Sequence, residues 1–226
     1  MASRKEQKEQ LRAEREERER LEKAAAARRA RLTRIGGGAA VLVIAAVIIG
    51  IVASGGGNDK SSPAAVADSL QATPGPWQPL TAGLQNRSDA LKLPAPSDSI
   101  YHVHAQLKVY ADGKQLPVPA DVGIDPAKGF LASLHTHDAK GIIHMEAVEV
   151  YPFTLGEFMD IWGVKYTPTQ LGAFRPGKGL VLETYINGQK VADGPAAKLK
   201  QGDRIVIGFG KPGSFPKDFK LDPSVT

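Results

Sequence analysis

All five histidines of the 226-residue chain fall between positions 102 and 144: His102, His104, His135, His137 and His144. In a β-strand, residues two apart share a face, so YHVH pairs His102 with His104 and LHTH pairs His135 with His137. The segment DAKG, from Asp138 to Gly141, reads as the turn of a hairpin. If those residues close it simply, opposed positions have a constant sum: His135 then faces His144, His137 faces Ile142, and Ser133 faces Glu146 on the same side. Three imidazoles thereby come within reach of one atom.

Imidazole is the commonest side-chain metal ligand, and three of them on rigid strands form a site type used by zinc and copper proteins. The chain has no cysteine. Disulfides, thiolate zinc sites, iron–sulfur clusters, blue-copper centres of the His and Cys type and cysteine nucleophiles are all excluded. What remains is nitrogen, joined by carboxylate oxygen from Glu146 or Asp138, a donor set that suits Zn(II), Cu(II) or Ni(II). The candidate ligands are His135, His137, His144, His102, His104 and Glu146, and the expected cofactor is a transition metal ion, copper or zinc. Met145 alternates to the opposite face and is expected in the core; Asp138 has a plain role as a turn former. Because imidazole binds metal only when deprotonated, occupancy is expected to fall below about pH 6.

The elements that must position these groups are mostly strands. SIYHVHAQLKVYADGKQLPVP alternates polar and apolar residues and turns at Asp112-Gly113; LVLETYINGQKVADG turns at Asn187-Gly188; and a last strand is expected over Asp203 to Phe209. One helix stands out. Thr154 and Glu157 have the spacing of a capping box, Leu155, Phe158, Met159 and Trp162 supply an apolar side, and Gly163 can close the end. The expectation is an α+β domain over residues 99–226, a small, mainly antiparallel β-sheet with one or two helices packed on it.

Ahead of this domain the composition changes twice. Residues 35–53 carry no charge, and the segment 35–54 is long enough, at about 1.5 Å per residue, to cross a bilayer as a single transmembrane helix. Arg28, Arg29, Arg31 and Arg34 precede it, so the positive-inside rule keeps the charged, helix-prone segment 1–34 in the cytoplasm and the remainder outside the cell. Residues 55–98, rich in Pro, Gly, Ala and Ser, read as a linker. The formal net charge of +5 belongs to the leader: residues 1–34 hold 12 basic and 7 acidic side chains, leaving 17 of each beyond it. No basic field on the exported part would draw it to nucleic acid, and no phosphate-binding loop, dinucleotide motif or nucleophile elbow occurs.

The run LHTHDAKGIIHMEA, preceded by YHVHAQLKVYADGKQLPVPADVGI and followed by FTLGEFMDIWG, resembles an uncharacterised, membrane-anchored extracytoplasmic domain family of actinobacteria and some archaea. The likeness covers residues 99–165 and extends loosely beyond. It implies location and a shared histidine site, and no activity. Three readings follow: a single-pass cell-membrane protein whose extracytoplasmic domain binds a divalent transition metal, a non-metallated interaction module with an envelope protein partner, and a metal-dependent enzyme in which Glu146 would serve as base. The glycine and proline spacing of cupin motifs is not met.

Overall fold

The computed structural model describes residues 69–225. The segments 1–34 and 35–54 and the first part of the expected linker lie outside the described residues. Among the described residues, no helix is long and apolar enough to cross a membrane.

The core is a seven-stranded mixed sheet with two α-helices. In chain order the elements are α1 (Leu84–Ala90), β1 (Tyr101–Ala111), β2 (Lys114–Leu116), β3 (Ile124–Asp125), β4 (Phe130–Leu131), β5 (Leu134–His135), β6 (Ile142–Ala147), α2 (Leu155–Trp162), β7 (Tyr166–Thr167), β8 (Gln170–Leu171), β9 (Val181–Ile186), β10 (Gln189–Val191) and β11 (Arg204–Gly210), followed by a 3-10 turn at Pro223–Val225. The sheet order is β10-β9-β11-β1-β6-β5, with β2 also paired to β1; β3 with β4 and β7 with β8 form two small ribbons. Most neighbours are antiparallel, as expected, but β1 and β11 run parallel at the centre. That pairing joins the ends of the domain, and no local turn could announce it.

Both two-residue turns form where Asx-Gly pairs permit them. Asp112 and Gly113 have φ of 49° and 78°, and Asn187 and Gly188 have 52° and 79°, the left-handed values that match the twist of a tight hairpin. The helix α2 begins with both halves of the capping box, since the Thr154 hydroxyl accepts from Glu157 N–H and the Glu157 carboxylate accepts from Thr154 N–H. It ends at Gly163 with φ 83°, a geometry that costs a residue with a Cβ about 1 kcal/mol or more.

Alternation divides the sheet. Ala105, Leu107 and Val109 of β1, Ile143, Met145 and Ala147 of β6, Leu134 of β5, and Ile205 and Ile207 of β11 are buried with Phe158, Met159, Ile161 and Trp162 of α2. Each fully buried side chain of this size contributes roughly 1.5–3 kcal/mol. On the other face, Phe215 of the C-terminal segment packs with Tyr185 and Val206, with Phe219 beside them, over the β9 and β11 side.

The expected boundary between linker and domain at residue 99 does not match the packing. Gln71 bridges in parallel to Val164, Trp77 is buried and meets Trp162 edge to face at 6.0 Å, and Leu84 joins the same core. Arg87, also buried, donates to the carbonyls of Ala82 at 2.7 Å and Asp160 at 3.0 Å, and to Leu80 O. Its cation thus sits at the C-terminal turn of α2, where unsatisfied carbonyls favour positive charge. The prolines of this stretch read as a spacer, while Trp77, Leu84 and Arg87 hold it to the core.

Candidate metal centre

Three adjacent strands, with His137 in the bend just after β5, present the candidate ligands on the face opposite α2. On β5 and β6 the paired residues are Leu134 with Met145 and His135 with His144, the register expected from the DAKG turn. The ladder continues as Glu146 N–H donates to Ser133 O at 2.9 Å. Gly141, with φ 74°, closes the turn against Leu107 O, where a Cβ would come to 2.3 Å. What the turn could not reveal is the next neighbour: β1 lies against β6, with His104 opposite His144 and His102 opposite Glu146. The two His-x-His pairs therefore flank the β6 pair from either side.

The six side chains form a continuous run of contacts. The Nε2 of His104 stands 2.9 Å from His102 Nε2 and 3.1 Å from His144 Nδ1. Glu146 Oε1 lies 3.1 Å from His102 Nε2, 3.7 Å from His135 Nε2 and 3.7 Å from His144 Nδ1. His135 Nε2 and His137 Nε2 are 3.2 Å apart. An ion with bonds of about 2.1 Å separates its adjacent ligands by roughly 3.0–3.4 Å, so the four shorter contacts are close to the length of coordination-polyhedron edges and the two at 3.7 Å are somewhat longer. Two overlapping groups could each hold a metal ion: His135, His137, His144 and Glu146, and His102, His104 and His144.

The deepest ligand is the best prepared. His135 has 1% of its side chain exposed, against 12% for Glu146, 20% for His144 and 36% for His102. Its Nδ1 lies 3.0 Å from Ala132 O, a carbonyl that can only accept, so Nδ1 carries the proton and the Nε2 lone pair is directed at His137 and Glu146. A backbone carbonyl fixing the tautomer in this way is the usual second partner of a ligating histidine. The loop before β5 holds this strand in place: Thr136 N–H donates to Val122 O and the Thr136 hydroxyl to Pro119 O. Gly123, φ 75°, lies so close that a Cβ would meet Leu134 O at 2.2 Å and His135 Cβ at 3.1 Å.

Burial favours the neutral form of three of the imidazoles, His104, His135 and His137. Burial, with the neighbouring histidines, lowers His135 and His104 from the ordinary 6.5 to about 4, and burial also lowers His137. The surrounding rings, His144 first, hold the Glu146 carboxyl down to about 2. Deprotonated nitrogen beside an ionised carboxylate is the state a cation requires.

Sequence reasoning named the six side chains that lie in this cluster but not their supports. Ala132 contributes only a carbonyl, which has no sequence signature. Gln201, whose side-chain oxygen accepts from His104 N–H at 2.7 Å, comes from a loop 97 residues away. Ser133 Oγ is buried without a hydrogen-bond partner among the described residues. Met145 is fully buried in the core, as its alternation predicts. Comparison with family models, curated proteins and solved structures finds no match to this chain.

Proposed function

We propose that this chain is a single-pass membrane protein whose extracytoplasmic domain binds a divalent transition metal, copper or zinc, at His135, His137, His144 and Glu146, for sensing, buffering or delivery of the ion. The observation that carries the reading is His135: a nearly solvent-free imidazole whose proton is committed to Ala132 O and whose lone pair faces a carboxylate oxygen at 3.7 Å. Two electron-rich groups confronting each other in a buried site call for a cation between them. The donor set of imidazole and carboxylate, with Met145 turned into the core, favours Cu(II) or Zn(II) over a soft monovalent ion.

The membrane tether is part of this proposal and rests on the apolar run 35–54 and the arginines before it. So does kinship with the actinobacterial extracytoplasmic family, which rests on the His-x-His pairs and the THD turn. A second reading, the non-metallated interaction module, is favoured by the same short contacts, because neutral imidazoles can share N–H···N bonds at 2.9–3.2 Å. Metal analysis of the full chain, purified without a histidine tag and dialysed against Zn(II) or Cu(II) at pH 7.5, separates the two. Retention of at least one equivalent that is lost in His135→Ala supports the metal reading; no retained metal leaves the interaction module.

A further inference from the structure

The cluster offers more donors than one ion can use. Ligands of one ion lie at most two bond lengths apart, about 4.2 Å for bonds of about 2.1 Å. The six side chains do not form one compact set; they form two, each with its ligand atoms within 4.8 Å of one another, and His144 belongs to both. In the shallower set His104 is central, with Nε2 at 2.9 Å from His102 Nε2 and 3.1 Å from His144 Nδ1. Glu146, a member of the deep set, also brings Oε1 to 3.1 Å from His102 Nε2. One carboxylate therefore faces both sets, and a carboxylate has two oxygens to give.

We propose that the site is a two-ion centre, with one ion held deep by His135, His137 and His144, a second nearer the surface by His102 and His104, and Glu146 bridging them. This rests on the metal-binding reading above. Two-ion sites place their ions about 3.5–4 Å apart, and at that distance like charges repel, so the ions enter in sequence, the second more weakly. The bridging carboxylate offsets part of that repulsion. His102, the most exposed of the cluster's ion-paired histidines at 36%, lies where solvent can screen the outer charge and complete its coordination.

Stoichiometry tests it, read by calorimetric titration of the full chain with Zn(II) and by electron paramagnetic resonance with Cu(II). Two equivalents are expected in two steps. At two equivalents of Cu(II) the integrated signal should fall well short of two spins, because ions sharing a ligand couple. The double variants His102→Ala with His104→Ala, and the more conservative His102→Gln with His104→Gln, should each keep the tight step, lose the weak one and give a single uncoupled spin. His135→Ala with His137→Ala should lose the tight step. One equivalent in the parent chain, abolished by the His135 and His137 variant, would overturn the two-ion centre and leave the single-ion reading standing. Zero equivalents would overturn both. A second equivalent unaffected by either variant at His102 and His104, or two fully uncoupled spins, would also overturn the proposal.

Discussion

His104 and His144 stand directly opposite each other on β1 and β6, with Nε2 of one 3.1 Å from Nδ1 of the other. The two residues are 40 positions apart in sequence, and their contact makes one histidine face out of two His-x-His pairs.

Ligand and core positions alternate along β6, so neighbouring substitutions should separate binding from packing. His144→Ala is expected to weaken Zn(II) affinity by more than the roughly 10–100-fold typical of losing a supporting hydrogen bond to a ligand. Met145→Leu should leave affinity unchanged and cost less than about 1.5 kcal/mol of stability. Calorimetric titration and thermal denaturation of both variants would check the pair; equal losses of affinity would refute the facing assigned to β6.

Acid should act on the metal-free chain in a defined window. His135 and His104 ionise near 4 when folded and near 6.5 when unfolded, so their contribution is fully present above pH 6.5 and is lost as the pH falls toward 4. The fully buried His135 contributes a slope of up to about 1.4 kcal/mol per pH unit, and the half-exposed His104 less. Glu146 is held below its ordinary 4.5 and so acts only at lower pH. Asp160, raised to about 6 by burial, works in the opposite direction, adding stability as the pH falls from 6. Denaturant titrations at pH 7.5, 6 and 5, repeated in Asp160→Asn, should show a steeper acid loss once that opposing carboxyl is removed.

Metal release should begin below the pH 6 set by ordinary imidazole. Protons compete poorly for His135 and His104, whose nitrogens titrate near 4, so Zn(II) held through them is expected to be retained at pH 5.5 and shed as the pH approaches 4. Equilibrium dialysis across this range measures it, and half-release above pH 6 would contradict it.

Gly123→Ala should damage the site from behind. The added Cβ would meet Leu134 O at 2.2 Å with φ at 75°, a strain of about 2 kcal/mol or more before the loop moves. The expected result is a melting temperature lower by roughly 4–8 °C together with weaker metal binding. A loss of stability with unchanged affinity would show that the loop does not position His135.

Arg87→Met tests whether the segment before β1 belongs to the domain. Without the guanidinium, the carbonyls of Leu80 and Ala82 lose this donor and Asp160 O keeps only Gly163 N–H, a cost of about 3 kcal/mol, or roughly 6–12 °C in melting temperature. A chain beginning at residue 99 would also lose Trp77 and should melt lower still; equal stability would restore the segment to a mere spacer.

What the sequence determined by itself is local. Asx-Gly pairs impose left-handed turns, a four-residue turn imposes the register that sets His135 against His144, and Thr154 with Glu157 and Gly163 delimit α2, because in each case the decisive interactions span only a few residues. The tertiary structure alone decided that β1 lies between β6 and a parallel β11, that residues from Gln71 onward are pinned by Trp77 and Arg87, and that Ala132 O and Gln201 support the ligands. Strand neighbours and buried anchors are chosen by the joint burial of one apolar face against α2. That choice depends on the whole core and leaves no mark at any single position.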